Sequence, residues 1–210
     1  KNMNYKLDLK KFKKIQIKSK YDLADYTANI LMKDENVVFG IYNGKYEFGP
    51  RSLGNRSIIA SPKNNSINKV LNDRLNRSEF MPFAPITINE HINKFVIDPL
   101  KANKYKIPFR YMTITTELPE KTKKLAPGIT HVDGTARPQL LDKESNPLLY
   151  QTIEIFYKLT GIPCLINTSF NIHEKPIISD PYEAFEALDE SRIDYLIIND
   201  EIVKKIDNAL

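Results

Sequence analysis

Short runs of β-branched and aromatic residues alternate along this chain with segments of helical hydrophobic spacing. That alternation restricts it to folds in which helices cover a sheet. Residues 37–42 read as a buried strand, and residues 111–115, 163–167 and 194–198 as three more. Ser19 and Asp22 resemble a helix cap, and Leu23, Tyr26, Thr27, Ile30 and Leu31 then recur at helical spacing, so a helix is expected over residues 20–33. Residues 66–75 read likewise, with Ile67, Val70, Leu71 and Leu75 on one side. Asn146-Pro147 caps and opens a long helix that Gly161 ends, and Asp180-Pro181 starts another. The expected class is α/β (α+β) around one sheet, with a strand order that spacing alone does not reveal.

At 210 residues the chain suits one domain with a substantial core. It begins with Lys1 rather than methionine, which points to a processed piece or part of a longer chain. No run approaches the ~18 to 20 apolar residues of a membrane span, and no signal peptide is visible. The lone Cys164 excludes an internal disulfide and fits a reducing, cytoplasmic setting; its apolar neighbours predict a buried core residue. The net charge of +5 is uneven, because residues 1–20 alone carry +7 and the rest sums to −2. Residues 1–19 therefore read as a solvated basic lead-in or linker, with the domain proper at 20–210. Nucleic-acid binding is disfavoured, since it calls for basic residues spread over a folded face.

Three polar segments carry chemistry. The first, Glu47 to Ser57 (EFGPRSLGNRS), joins glycines that allow close backbone approach to Arg51 and Arg56, whose planar forks suit phosphate or carboxylate oxygens. It is expected to be an irregular structured loop within residues 43–62. The Gly49-x4-Gly54 spacing lacks the lysine of a Walker loop. The second is Thr130 to Arg137 (THVDGTAR). If extended, it would place His131, Asp133, Thr135 and Arg137 on one face. Two ligands are too few for a metal site, so a polar cluster that aims Arg137 at an anion is the better reading. The third, Asn167-Thr168-Ser169-Phe170-Asn171, puts small hydroxyl and amide groups at a strand end, where nucleotides and phosphates often sit. No nucleophile elbow surrounds Ser169.

Together with Pro82-Phe83-Ala84-Pro85, these segments resemble the signatures of the nodulation- and cephamycin-type O-carbamoyltransferases, in the family's order over residues 20–205. The resemblance implies the C-terminal part of a two-part enzyme, with a YrdC/Sua5-like twisted mixed sheet and flanking helices. Such a domain would form carbamoyl-adenylate from carbamoyl phosphate and Mg-bound ATP, releasing pyrophosphate, and an N-terminal acceptor-binding domain would pass the carbamoyl group to a hydroxyl. By motif match, Arg137 and Ser169 contact the donor or ATP phosphates, Asn167, Thr168 and Asn171 shape the pocket, and Arg51 and Arg56 complete the anion site or the seam to the other domain. His131, Asp133 and Thr135 belong to the substrate- and ATP-binding set, His131 and Asp133 by positioning their loop rather than by moving protons, and no metal site is implied in this part. Arg77 matches a usual cation, whereas Leu75 and Met81 stand at usual basic positions that Arg74 or Lys69 would have to replace. His173 replaces a more usual glycine-containing ending and reads as a turn residue. The alternative is a nucleotide- or RNA-binding module that kept the fold without the chemistry.

Overall fold

The computed structural model describes residues 9–77, 83–172 and 175–206. In chain order its first half holds β1 (Phe12–Ile15), α1 (Lys20–Lys33), β2 (Val38–Tyr42), β3 (Arg56–Ala60), α2 (Ser66–Arg74), β4 (Ala84–Ile88), α3 (Pro99–Lys104) and α4 (Lys106–Arg110). There follow β5 (Thr116–Glu117), α5 (Glu120–Leu125), β6 (Thr135–Ala136), β7 (Gln139–Leu141), α6 (Pro147–Thr160), β8 (Leu165–Ser169), α7 (Pro181–Asp189), β9 (Tyr195–Ile198) and β10 (Glu201–Lys205). Eight strands form one mixed sheet in the order β1-β10-β9-β2-β3-β8-β4-β7, and β5 and β6 pair separately. The α/β class expected from the sequence is the one observed.

Local chemistry explains the helix ends. Ser19 Oγ accepts from the Asp22 N–H at 3.1 Å, capping α1. Asn146 Oδ1 accepts from the Leu149 N–H at 3.0 Å at the start of α6, and Gly161 closes that helix at φ 75°. Asp180 and Glu183 make a reciprocal capping box on α7. On one face of the sheet Phe39 stacks on Tyr195 at 4.7 Å, and Tyr26 of α1 meets Tyr195 edge-on. Side chains alternate along β2, so Gly40 faces the other way, against Ile193 and Phe170. Cys164 is wholly buried, and burial pushes its thiol far up, which leaves it an inert core residue.

Several expectations need correction. Residues 12–15 are not lead-in: Phe12 to Ile15 pair antiparallel with β10 and form the sheet's edge. Phe12 packs on Phe185 at 5.3 Å, while Lys11 and Lys20 meet Asp189 and Asp200 at 2.7 and 2.6 Å. Acidic partners on the fold thus hold part of the lysine-rich segment, which a linker reading did not foresee; residues 1–8 lie outside the described residues. The loop expected over 43–62 contains β3, a central strand buried along its length. Its apolar core is only Ile58-Ile59-Ala60, too short to stand out beside the polar Arg56-Ser57. The strand expected at 111–115 is absent: Met112 turns left-handed at φ 53° and Thr113 N–H donates back to Pro108 O at 3.1 Å, winding up the end of α4. The extended reading of 130–137 also fails. The Gly134 N–H donates to His131 O at 2.9 Å and the His131 N–H to Thr135 O at 2.8 Å, so the segment is a tight turn leading into β6.

A Cβ on Gly40 would lie 2.6 Å from Ile193 Cδ1 and 2.7 Å from Phe170 Cε1. Gly40→Ala should therefore lower stability by about 1–3 kcal/mol, read as a reduced urea midpoint; an unchanged midpoint would contradict the packing. His91 is 7% exposed, its ring lies 4.0 Å from that of Tyr157, and neither ring nitrogen has a well-formed partner among the described residues. Burial, followed by the Lys94 charge, holds its pKa below the ordinary 6.5, and Glu90 and Glu154 only partly oppose this. The unfolded chain takes up the proton that the native state refuses, so stability is full above about pH 6.5 and falls as pH drops below it. His91→Phe should flatten that slope as pH falls below about 6.5; a slope identical to wild type in urea titrations would refute it.

Candidate functional site

The segment between β2 and β3 is irregular, and hydrogen bonds hold it on both sides of the exposed residues 48–51. The Glu47 carboxylate accepts from the backbone N–H groups of Leu53, Asn55 and Arg56 at 2.9, 2.5 and 3.1 Å. Asn43 N–H donates to Asn55 O at 2.9 Å and closes the loop's base. Three consecutive carbonyls then receive amide donors from three different elements. Ser52 O takes Asn167 Nδ2 of β8 at 3.0 Å, Leu53 O takes Gln139 Nε2 of β7 at 2.8 Å, and Gly54 O takes Asn146 Nδ2 of the α6 cap at 3.2 Å. Gly54 has φ +125°, and a Cβ there would press to 3.0 Å on Asn146 Nδ2, so only glycine fits.

This anchoring delivers Arg51 to a pocket of about 100 Å³ that it shares with Arg77, Arg137, Asn167, Thr168 and Ser169. Arg77 Nη2 donates to Thr168 Oγ1 at 2.9 Å, and the guanidinium lies 5.0 Å from the Phe83 ring. Burial lowers the pKa of Arg77; burial and then the Arg51 charge lower that of Arg137. Arg137 Nε is buried with no hydrogen-bond partner among the described residues. Like charges crowded beside an unused donor are what an anion would relieve. A neighbouring cleft of about 510 Å³ shares Pro50, Arg51, Met112 and Arg137 as walls and adds Phe48 and Tyr111, both exposed aromatics. The left-handed Met112 thus stands at the junction of the two hollows.

Other expected site residues lie elsewhere. Arg56 is turned away: its guanidinium donates to Asn43 O, Asn55 O and Gly44 O and sits 3.7 Å over the Tyr42 ring, so it braces the loop. His131, Asp133 and Thr135 form a self-contained turn, with Thr135 N–H and Oγ1 donating to Asp133 Oδ1 at 2.9 and 2.7 Å and His131 Nδ1 3.1 Å from Thr135 Oγ1. Burial lowers the His131 pKa, Asp133 opposes the shift and Arg137 reinforces it, which places the turn beside Arg137 electrostatically. Asn171 reaches the pocket only through Ser169, whose Oγ donates to Asn171 Oδ1 at 2.6 Å. Leu75 is buried, and Arg74 is engaged with Asp194 at 2.7 Å, so Arg74 does not replace a missing cation. Met81, Pro82 and His173 lie outside the described residues.

Glu47, Gln139 and Asn146 were not foreseen as site-building residues. Glu47 stood at the head of the first motif, but its role as acceptor for three backbone N–H groups of that same loop depends on how the loop folds back, and Gln139 is a polar residue beside the apolar Leu140-Leu141 whose partner Leu53 is distant in sequence. Among the described residues no group of three or more His, Cys, Asp or Glu side chains is placed to hold a metal, and no helix is long and apolar enough to cross a membrane.

The family described as carbamoyltransferase C-terminus matches residues 28–205. An uncharacterised protein of Methanocaldococcus jannaschii is 37% identical over 92% of this chain, which covers 36% of that protein. The nodulation protein NolNO of Sinorhizobium fredii is 35% identical over 91% of the chain, which covers 27% of it. The chain thus spans about a third or less of the length of these relatives. Among solved structures, full-length HypF in its phosphate- and nucleotide-bound form aligns with TM-score 0.61 and 22% identity, over 93% of this chain and 23% of its own. A variant of P. abyssi Sua5 aligns with TM-score 0.60 and 15% identity, over 88% of this chain and 50% of its own. These two likenesses show the fold, which is YrdC-like. With the profile matched along most of its length and relatives above a third identical, the chain belongs to the carbamoyltransferase C-terminus family.

Proposed function

We propose that this chain is the nucleotide-handling part of an ATP-dependent O-carbamoyltransferase. In this reading carbamoyl phosphate gives up its phosphate to water and leaves carbamate. A carbamate oxygen then attacks the α-phosphorus of ATP, pyrophosphate leaves, and carbamoyl-adenylate results. An N-terminal domain of the longer protein would pass the carbamoyl group to an acceptor hydroxyl. The carrying observation is the pocket where Arg51, Arg77 and Arg137 converge beside the Thr168 hydroxyl. Two polyanions brought together repel, and fixed guanidinium groups offset that charge without reorganising. Thr168 Oγ1 accepts from Arg77, so its own hydrogen remains for a phosphate oxygen. The aromatic-flanked cleft alongside has the size and apolar walls for a base and ribose, and magnesium would travel with the ATP phosphates. The nucleotide- and phosphate-bound state of the structurally similar HypF agrees with this assignment.

One observation favours a second reading, a nucleotide-binding module without the chemistry: Leu75 is buried where a cation is usual, and Arg74 is engaged with Asp194. Pyrophosphate formation separates the two readings. Binding itself is tested by calorimetric titration with ATP, with and without carbamoyl phosphate. Arg137→Ala should weaken binding by about 10- to 100-fold, as expected for a lost hydrogen bond to a charged group, with the thermal midpoint little changed. Undiminished affinity in that variant would remove the proposed anion site.

A further inference from the structure

The Asn167 amide has its orientation imposed by acceptors around it. Ser52 O and Leu53 O are backbone carbonyls and can only accept. Gln139 therefore turns Nε2 to Leu53 O at 2.8 Å, which leaves its Oε1 towards Asn167. That oxygen also only accepts, so Asn167 presents Nδ2 to it at 2.6 Å and to Ser52 O at 3.0 Å. Both amide hydrogens are then taken, and Oδ1 is the one polar side-chain atom that Asn167 has left. It is buried without a hydrogen-bond partner among the described residues, on a residue 1% exposed that forms part of the three-arginine pocket wall.

Ser169 obeys the same logic. Asn171 Nδ2 donates to Lys175 O at 2.6 Å, so Asn171 Oδ1 faces Ser169 and accepts its hydroxyl hydrogen at 2.6 Å. Ser169 Oγ keeps only lone pairs for a pocket ligand. Residues 167 and 169 alternate along β8 and so share a face of the strand. Two acceptors in a pocket built from arginines do not suit a bare oxyanion, which has no hydrogen to give. They suit a ligand that joins an anion to an amino group bearing two hydrogens.

We infer that Asn167 is a specificity-determining residue: its Oδ1, backed by Ser169 Oγ, accepts the amino hydrogens of the carbamoyl group and selects carbamoyl donors over acyl phosphates that end in a methyl. This rests on the carbamoyl-donor reading above. A site that hydrogen-bonds a donor rejects the analogue lacking it, because its acceptor is then left unmet.

The test titrates the 210-residue chain and its Asn167→Leu variant with carbamoyl phosphate, acetyl phosphate and inorganic phosphate. Wild type should hold carbamoyl phosphate about tenfold tighter than acetyl phosphate, the scale of one hydrogen bond. Asn167→Leu also removes the Nδ2 bond to Ser52 O beside Arg51, so both ligands should weaken, but carbamoyl phosphate by about tenfold more, which brings the ratio near one. A merely structural role would weaken both ligands in parallel and leave the ratio intact, which would overturn the inference. Should Asn167→Leu not fold, the wild-type ratio decides alone. Equal affinity for the two acyl phosphates, with inorganic phosphate still bound, sinks the Asn167 assignment and spares the anion site. No binding of any of the three overturns the carbamoyl-donor reading together with it.

Discussion

Three guanidinium groups that share a small pocket repel one another, and among the described residues no carboxylate lines that pocket to offset them. Arg77 leans on Thr168 and the Phe83 ring, and Arg137 follows the short β6 strand out of the His131 turn. Arg51 sits on a loop and would swing into solvent if that loop were free. Its restraint comes from Glu47, which gathers three backbone N–H groups, and from amide side chains of β7, β8 and the α6 cap that meet carbonyls 52, 53 and 54 in turn. A backbone fixed in this way carries the Arg51 side chain to the pocket before an anion arrives, which limits the rearrangement that binding requires.

The central strands explain why the pocket lies where it does. β3, β8 and β4 are neighbours in the sheet, each pair antiparallel, and Ser57 stands opposite Ser169. The end of β8 therefore lies beside the Glu47–Ser57 loop and the start of β4. Segments more than a hundred residues apart in the chain meet there because of strand pairing, with the polar ends of β3 and β8 at the pocket and their apolar ends in the core. Gly40 belongs to the same arrangement, since its missing side chain admits Phe170, the residue that follows Ser169.

Much of this was legible in the sequence where the signal is local. The caps at Ser19, Asn146 and Asp180, the glycine that ends α6, and the strands at β2 and β9 follow from neighbouring residues, and so does the α/β class. The converging residues Arg51, Arg77, Arg137, Asn167, Thr168 and Ser169 were singled out by motif, and the structure brings them to one pocket. What was hidden depends on partners that only the folded chain brings together. Arg56 looks like an anion ligand until Tyr42 and three carbonyls are seen to hold it. β1 looks like a charged tail until β10 offers an open edge and Phe185 a surface for Phe12. The amide orientations of Gln139 and Asn167 follow only from which groups around them cannot donate.

The reaction proposed for this pocket joins a carbamoyl group to the adenylyl part of ATP. Exchange of labelled pyrophosphate into ATP by the chain tests it most directly, because exchange requires the adenylate to form and revert. Exchange that depends on carbamoyl phosphate, and is lost in Arg137→Ala, is the predicted result. ATP and carbamoyl phosphate both bound, with no exchange even when the N-terminal part of one of the longer relatives is supplied, would contradict it and leave a nucleotide-binding module.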